Sequence, residues 1–138
     1  MLIFNVPNII SVFYEEENDL FIHEWLDYNP EGQDDVILKI LQKLFDSFST
    51  YPASRVIVRA HQTQGAFSPE IQDYIANTQI PKLEAKTNLR YVVTIQSRET
   101  MKAISTSLWQ APFDTVEKIT LHDVESEKEA REWLKNLD

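Results

Sequence analysis

Along these 138 residues the apolar side chains switch between a spacing of two and a spacing of three to four. That switching restricts the chain to a fold in which strands and helices alternate. Ile9 to Tyr14 and Leu20 to Trp25 are rich in β-branched and aromatic residues, and Glu15-Glu16-Glu17-Asn18-Asp19 separates them, which predicts a hairpin. From about Gln33, residues Val36, Ile37, Ile40, Leu41, Leu44, Phe45 and Phe48 line one helical stripe, with Lys39, Gln42, Lys43 and Asp46 opposite. Tyr51-Pro52 ends that helix, because proline disfavours helical geometry in the residue before it. Arg55 to Ala60 reads as strand. Ser68-Pro69-Glu70 then supplies a capping hydroxyl, a first-position proline and a first-turn acid for a helix with Ile71, Tyr74 and Ile75 on its buried side, kinked or ended by Pro81.

Leu89 to Gln96 is the fourth predicted strand, Ser97 caps a helix carrying Met101, Ile104 and Leu108, and Glu117 to His122 is the fifth strand. Ser126-Glu127-Lys128-Glu129 forms a capping box for a last helix with Ala130, Trp133, Leu134 and Leu137 as its apolar stripe. The predicted order is β-β-α-β-α-β-α-β-α within a single domain over residues 1–138, a length suited to one core. Right-handed crossovers make strands two to five parallel and leave the first antiparallel through its hairpin, giving a five-stranded mixed sheet.

The later strands alternate where a sheet covered on both sides is apolar nearly throughout. Val56, Val58 and Ala60 alternate with Arg55, Ile57, Arg59 and His61; Leu89, Tyr91, Val93 and Ile95 with Arg90, Val92, Thr94 and Gln96; Ile119 and Leu121 with Lys118, Thr120 and His122. Helices are therefore expected mainly on one face, and the other face is expected to gather Arg55, Arg59, Arg90 and Lys118. The competing reading puts those charges at strand ends or on a covered edge.

Charge narrows the partners. Thirteen Lys and Arg against 22 Asp and Glu give a net charge of −9, which repels nucleic acid and anionic lipid. The absence of cysteine excludes a disulfide framework, a thiol nucleophile and thiolate metal sites, and suits a reducing compartment. Met1 to Pro7 lacks a basic start and its apolar stretch is too broken for a signal core, and no segment approaches the roughly 20 apolar residues of a membrane span. The expectation is a cytoplasmic protein without membrane insertion.

Familiar catalytic motifs are missing. With Gly32 and Gly65 as the only glycines, neither a dinucleotide fingerprint nor a phosphate-binding P-loop can be written, and no serine has the flanking glycines of a nucleophile elbow. His23, His61 and His122 are not at helical ligand spacing, so no metal or cofactor is predicted. His61 ends the third predicted strand and His122-Asp123 ends the fifth. Ligands bind beyond the carboxyl ends of parallel strands, where Gln62, Ser97 and Arg98 also converge, a candidate site for an anion or a small polar molecule. The plainer reading is polar residues at loop starts. Trp109, beside Gln110-Ala111-Pro112-Phe113, is a candidate lipid or partner contact, whereas Trp133 falls on a buried stripe. The acidic runs Glu15 to Glu17 and Glu127 to Glu132 read as solvated surface.

The hairpin Ile10-Ser11-Val12-Phe13-Tyr14 to Leu20-Phe21-Ile22, the Gly65-Ala66-Phe67-Ser68-Pro69-Glu70 turn into a helix, the Tyr91-Val92-Val93-Thr94-Ile95 strand and the closing Glu129-Ala130-Arg131-Glu132-Trp133-Leu134 segment together resemble the STAS-like bacterial domains related to the anti-sigma-factor antagonists. That resemblance implies a superhelix of strands and helices with helices largely on one face, and a regulatory or small-ligand-binding module without catalysis. In phosphorylated members a serine at the start of the helix after the third strand receives phosphate. Ser68 is nearest to it here, but the Asp-Ser-Ser-Gly type of signature is replaced by Ala66-Phe67-Ser68-Pro69, and an ordinary cap already explains Ser68.

The leading expectation is a non-catalytic bacterial regulatory module that binds a protein partner or a small ligand. A carrier of an apolar, lipid-like molecule is the alternative, and an enzyme using His61 and His122 comes third. A homodimer covering a sheet face or the hairpin edge fits the first.

Overall fold

A computed structural model describes residues 1–28, 33–60, 67–96 and 119–136. Its sheet has six strands in the order β1 (Leu2–Val6), β2 (Ile10–Glu15), β3 (Leu20–Trp25), β4 (Arg55–Arg59), β5 (Tyr91–Ile95) and β6 (Thr120–Val124). β1, β2 and β3 are antiparallel neighbours; β3, β4, β5 and β6 run parallel. The mixed sheet and its antiparallel hairpin are as expected, but the count of five strands is corrected to six.

The additional strand is β1. It is made by a turn over Val6-Pro7-Asn8-Ile9, closed by the Ile9 N–H donating to the Val6 carbonyl at 3.0 Å. Pro7 presets φ for the second turn position, and Asn8, at φ 68°, takes the left-handed third position that asparagine tolerates. At the next turn Asp19 is also left-handed, and its carboxylate accepts from the Ser54 amide and hydroxyl, fixing the β2–β3 connection to the start of β4.

Helix α1 (Asp34–Thr50) buries Ile37, Ile40, Leu41, Leu44 and Phe48, the predicted stripe, and Tyr51 leaves it in an extended conformation. α2 (Pro69–Tyr74) starts at Ser68, whose hydroxyl accepts from the Ile71 amide at 3.3 Å. It runs through one π-helical stretch, Ile75–Gln79, into α3 (Ile80–Lys86). Pro81 does not end the helix. Its missing N–H and its ring's conflict with a carbonyl one turn back are met by widening the turn that precedes it. α4 (Glu127–Lys135) starts at Ser126, which accepts from the Glu129 amide. The predicted helix carrying Met101, Ile104 and Leu108 lies outside the described residues.

Because β3 to β6 advance in one direction, right-handed crossovers put α1, α2 and α3 on one face. There they pack on Ile10, Val12, Phe21, Trp25 and Val56 in the larger core. α4 packs on the opposite face, with Ala130 and Leu134 against Leu20, Ile22, Ile57, Val93, Ile95 and Val124 in a second core. The sheet is thus covered on both faces, and the expectation of helices mainly on one face holds for α1 to α3 only. The two-residue connection Glu125-Ser126 turns the chain directly from β6 into α4, whose Ala130 and Leu134 need an apolar surface of their own.

The basic sheet face also needs correction. The pairing of Arg55 with Tyr91 puts Arg90 out of phase with Arg55 and Arg59. Arg90 instead donates to the Leu89 carbonyl at 2.7 Å. Arg59 is neutralised by Glu24 at 3.1 Å and Glu127 at 2.6 Å. Lys118 lies outside the described residues.

Candidate ligand cavity

Between α1 to α3 and the sheet lies a cavity of about 450 Å³, within the range of small-molecule sites. Trp25, Val56, Val58 and Val92 form its floor, Leu41, Leu44 and Phe48 of α1 one wall, and Ile75, Ile80 and Leu83 another. Tyr28 and Phe67, whose rings lie 4.3 Å apart between centroids, border it as well. The lining is apolar because strand residues of one parity meet the buried stripes of the helices.

Two buried polar groups interrupt this lining. His23 shares its face of β3 with Phe21 and Trp25, and is 7% exposed. Burial pulls its imidazole down to about 4, so it is neutral near pH 7. Its Nε2 has no hydrogen-bond partner among the described residues. Gln79, 4% exposed at the end of the π-helical stretch, donates from Nε2 to the Leu41 carbonyl at 2.8 Å. That bond orients the amide and leaves Oε1, an acceptor, without a partner among the described residues. Each orphaned group costs on the order of 1–3 kcal/mol unless something in the cavity completes it.

The same row of the sheet carries His23, Val58, Thr94 and Asp123 on neighbouring strands. Thr94 and Asp123 also line the cavity, and Asp123 accepts from the buried Gln96 amide at 3.1 Å. Asp123, a predicted site residue, thus sits at the cavity's far side from His23. His122 borders the cavity, but its ring stacks on Trp133 at 4.7 Å on the opposite face. His61, Gln62, Ser97, Arg98 and Trp109 lie outside the described residues. Sequence reasoning passed over His23 and Gln79, although each is a polar residue in the buried phase of its element.

Ser68 does more than cap. Its hydroxyl donates to Asp34 at 2.8 Å, tying the start of α2 to the start of α1. A phosphate there would meet that carboxylate at contact distance.

The acidic runs are not wholly solvated. Arg131 of α4 pairs with both carboxylate oxygens of Glu15, while Glu127 bridges Arg131 and Arg59. The hydrogen bonds from Arg131 hold the Glu15 carboxyl down to about 2 against the opposing effect of burial. Burial acts to raise Glu127, but its bonds to Arg59 and Arg131 outweigh that and keep it below the usual carboxylate range.

Among the described residues no helix is long and apolar enough to cross a membrane, and no group of three or more His, Asp and Glu side chains is arranged to hold a metal ion. Compared with protein-family models, curated proteins and solved structures, the chain matches none.

Proposed function

We propose that this protein is a non-catalytic binding module that takes a small, largely apolar molecule into the cavity between α1 to α3 and the sheet. The observation that carries this reading is a pair of buried atoms, His23 Nε2 and Gln79 Oε1, without a partner among the described residues, in a largely apolar lining. Native cores satisfy their polar groups, and two exceptions bordering one cavity mark a place where a ligand completes the bonding. A regulatory role follows naturally, since occupancy couples the packing of three helical segments to the sheet. The STAS-like kinship is part of the proposal. The sequential parallel strands with α1 to α3 on one face support it.

Native mass spectrometry and organic extraction of the protein purified from its own cells test this reading. The expected result is a small apolar molecule released on denaturation; protein that carries nothing, and that gains no stability from any added amphiphile, contradicts it.

A second reading, pairing with another protein or a second copy, has its own observation. β1 is a sheet edge, its residues Leu2-Ile3-Phe4-Asn5-Val6 carry no charge, and Leu2 is 55% exposed. Uncharged edges invite strand addition. Light scattering on the wild-type chain and on Leu2→Lys distinguishes a dimer through this edge from a monomer.

A further inference from the structure

Resting on the reading of the cavity as a ligand site, we infer that its ligand ends in an uncharged hydrogen-bond donor, such as a hydroxyl or an amide N–H, bound between Gln79 Oε1 and His23 Nε2. Three features of the lining select that chemistry.

The first is the orientation of the Gln79 amide. Its Nε2 is committed to the Leu41 carbonyl, so the oxygen is the amide atom left without a partner among the described residues. A carboxylate or phosphate offers that oxygen no proton and faces it with like partial charge. The second is the sign of the charge around the cavity. Among the described residues that line it there is no lysine or arginine, and the one ionisable carboxylate is Asp123. Among these residues no permanent cation faces an anion buried there. The third is the character of His23, which is enclosed beside Phe21 with their ring centroids 5.9 Å apart. A neutral imidazole accepts or donates at Nε2 according to its tautomer, which suits a hydroxyl that both gives and takes a hydrogen bond. An ammonium head can also donate to both atoms. It also brings a full charge against a largely apolar lining, and Asp123 lies on the third strand from β3, roughly 14 Å away at the usual strand spacing.

Calorimetric titration of the full chain near pH 7 with three ligands of equal chain length, 1-decanol, decanoate and decylammonium, separates these cases. The expected order places decanol at least tenfold tighter than either ion. Replacing Gln79 by leucine, or by methionine should leucine fold poorly, is expected to weaken decanol about tenfold without weakening decanoate. Tighter binding of decanoate or decylammonium overturns the neutral-donor inference and leaves the cavity a ligand site. Equal decanol affinity in wild type and a folded Gln79 variant overturns the assigned anchor. Binding of none of the three removes the underlying reading of the cavity, which then holds only water on His23 and Gln79.

Discussion

Arg131 grips Glu15 at two points, Nη1 to Oε1 at 3.0 Å and Nη2 to Oε2 at 2.7 Å, and so clamps the last helix to the second strand across 116 positions of sequence. The clamp continues through Glu127 and Arg59 to Glu24, a chain of charges laid along the edge of the second core. Two-point pairing fixes geometry as well as charge.

The clamp predicts a specific acid sensitivity. The folded Glu15 carboxyl, held at about 2, lies below its ordinary 4.5. Its contribution is therefore complete above 4.5 and lost as pH falls from there towards 2. With both partners partly exposed, roughly 1–2 kcal/mol is expected after solvent screening. Urea unfolding of wild type and Glu15→Gln at pH 7 and pH 3 checks it: the difference between them should shrink at the lower pH.

His23 predicts a second, higher window. Its folded imidazole is depressed from 6.5 to about 4, so protonation favours the unfolded chain. Stability from the neutral form is full above 6.5 and declines as pH falls towards 4, by up to about 3 kcal/mol. His23→Leu should remove that part of the pH profile, as read from unfolding midpoints between pH 7 and pH 4.5.

Ser68 is expected to act as a structural hinge pin. Ser68→Ala removes both the cap on Ile71 and the bond to Asp34, and should cost about 1 kcal/mol. Ser68→Asp should cost more than alanine, because a carboxylate there faces Asp34, and adding Asp34→Asn should recover the difference. Thermal unfolding of wild type and these three variants measures the differences.

Ala130 marks where α4 comes close to the sheet. It is fully buried among Ile57, Val93 and Leu134 in the second core. Ala130→Leu should destabilise by about 1–3 kcal/mol through overpacking, visible as a lower denaturant midpoint.

Much of this architecture is legible in the sequence where a signal is local. The stripe from Ile37 to Phe48 specifies α1, and the serines at 68 and 126 mark helix starts that the structure places at those residues. β1 escapes such reading because five residues beside a Pro7-Asn8 turn give too short an alternation to stand out. The phase of β5 against β4 is set by tertiary packing, so Arg90 cannot be assigned to a face from its own strand. Arg59 reads as a surface cation until Glu24 and Glu127, 35 and 68 positions away, are brought to it. His23 and Gln79 share the buried phase of apolar neighbours, a pattern that sequence leaves ambiguous between a tolerated polar residue and a binding group.

The most direct measurement is a high-resolution crystal structure of the protein grown with 1-decanol. The alkyl chain is expected between α1 to α3 and the sheet, with its hydroxyl at hydrogen-bonding distance, roughly 2.7–3.2 Å, from Gln79 Oε1 and His23 Nε2. A cavity that holds only ordered water on those two atoms, with the alcohol bound elsewhere or not at all, would contradict that placement.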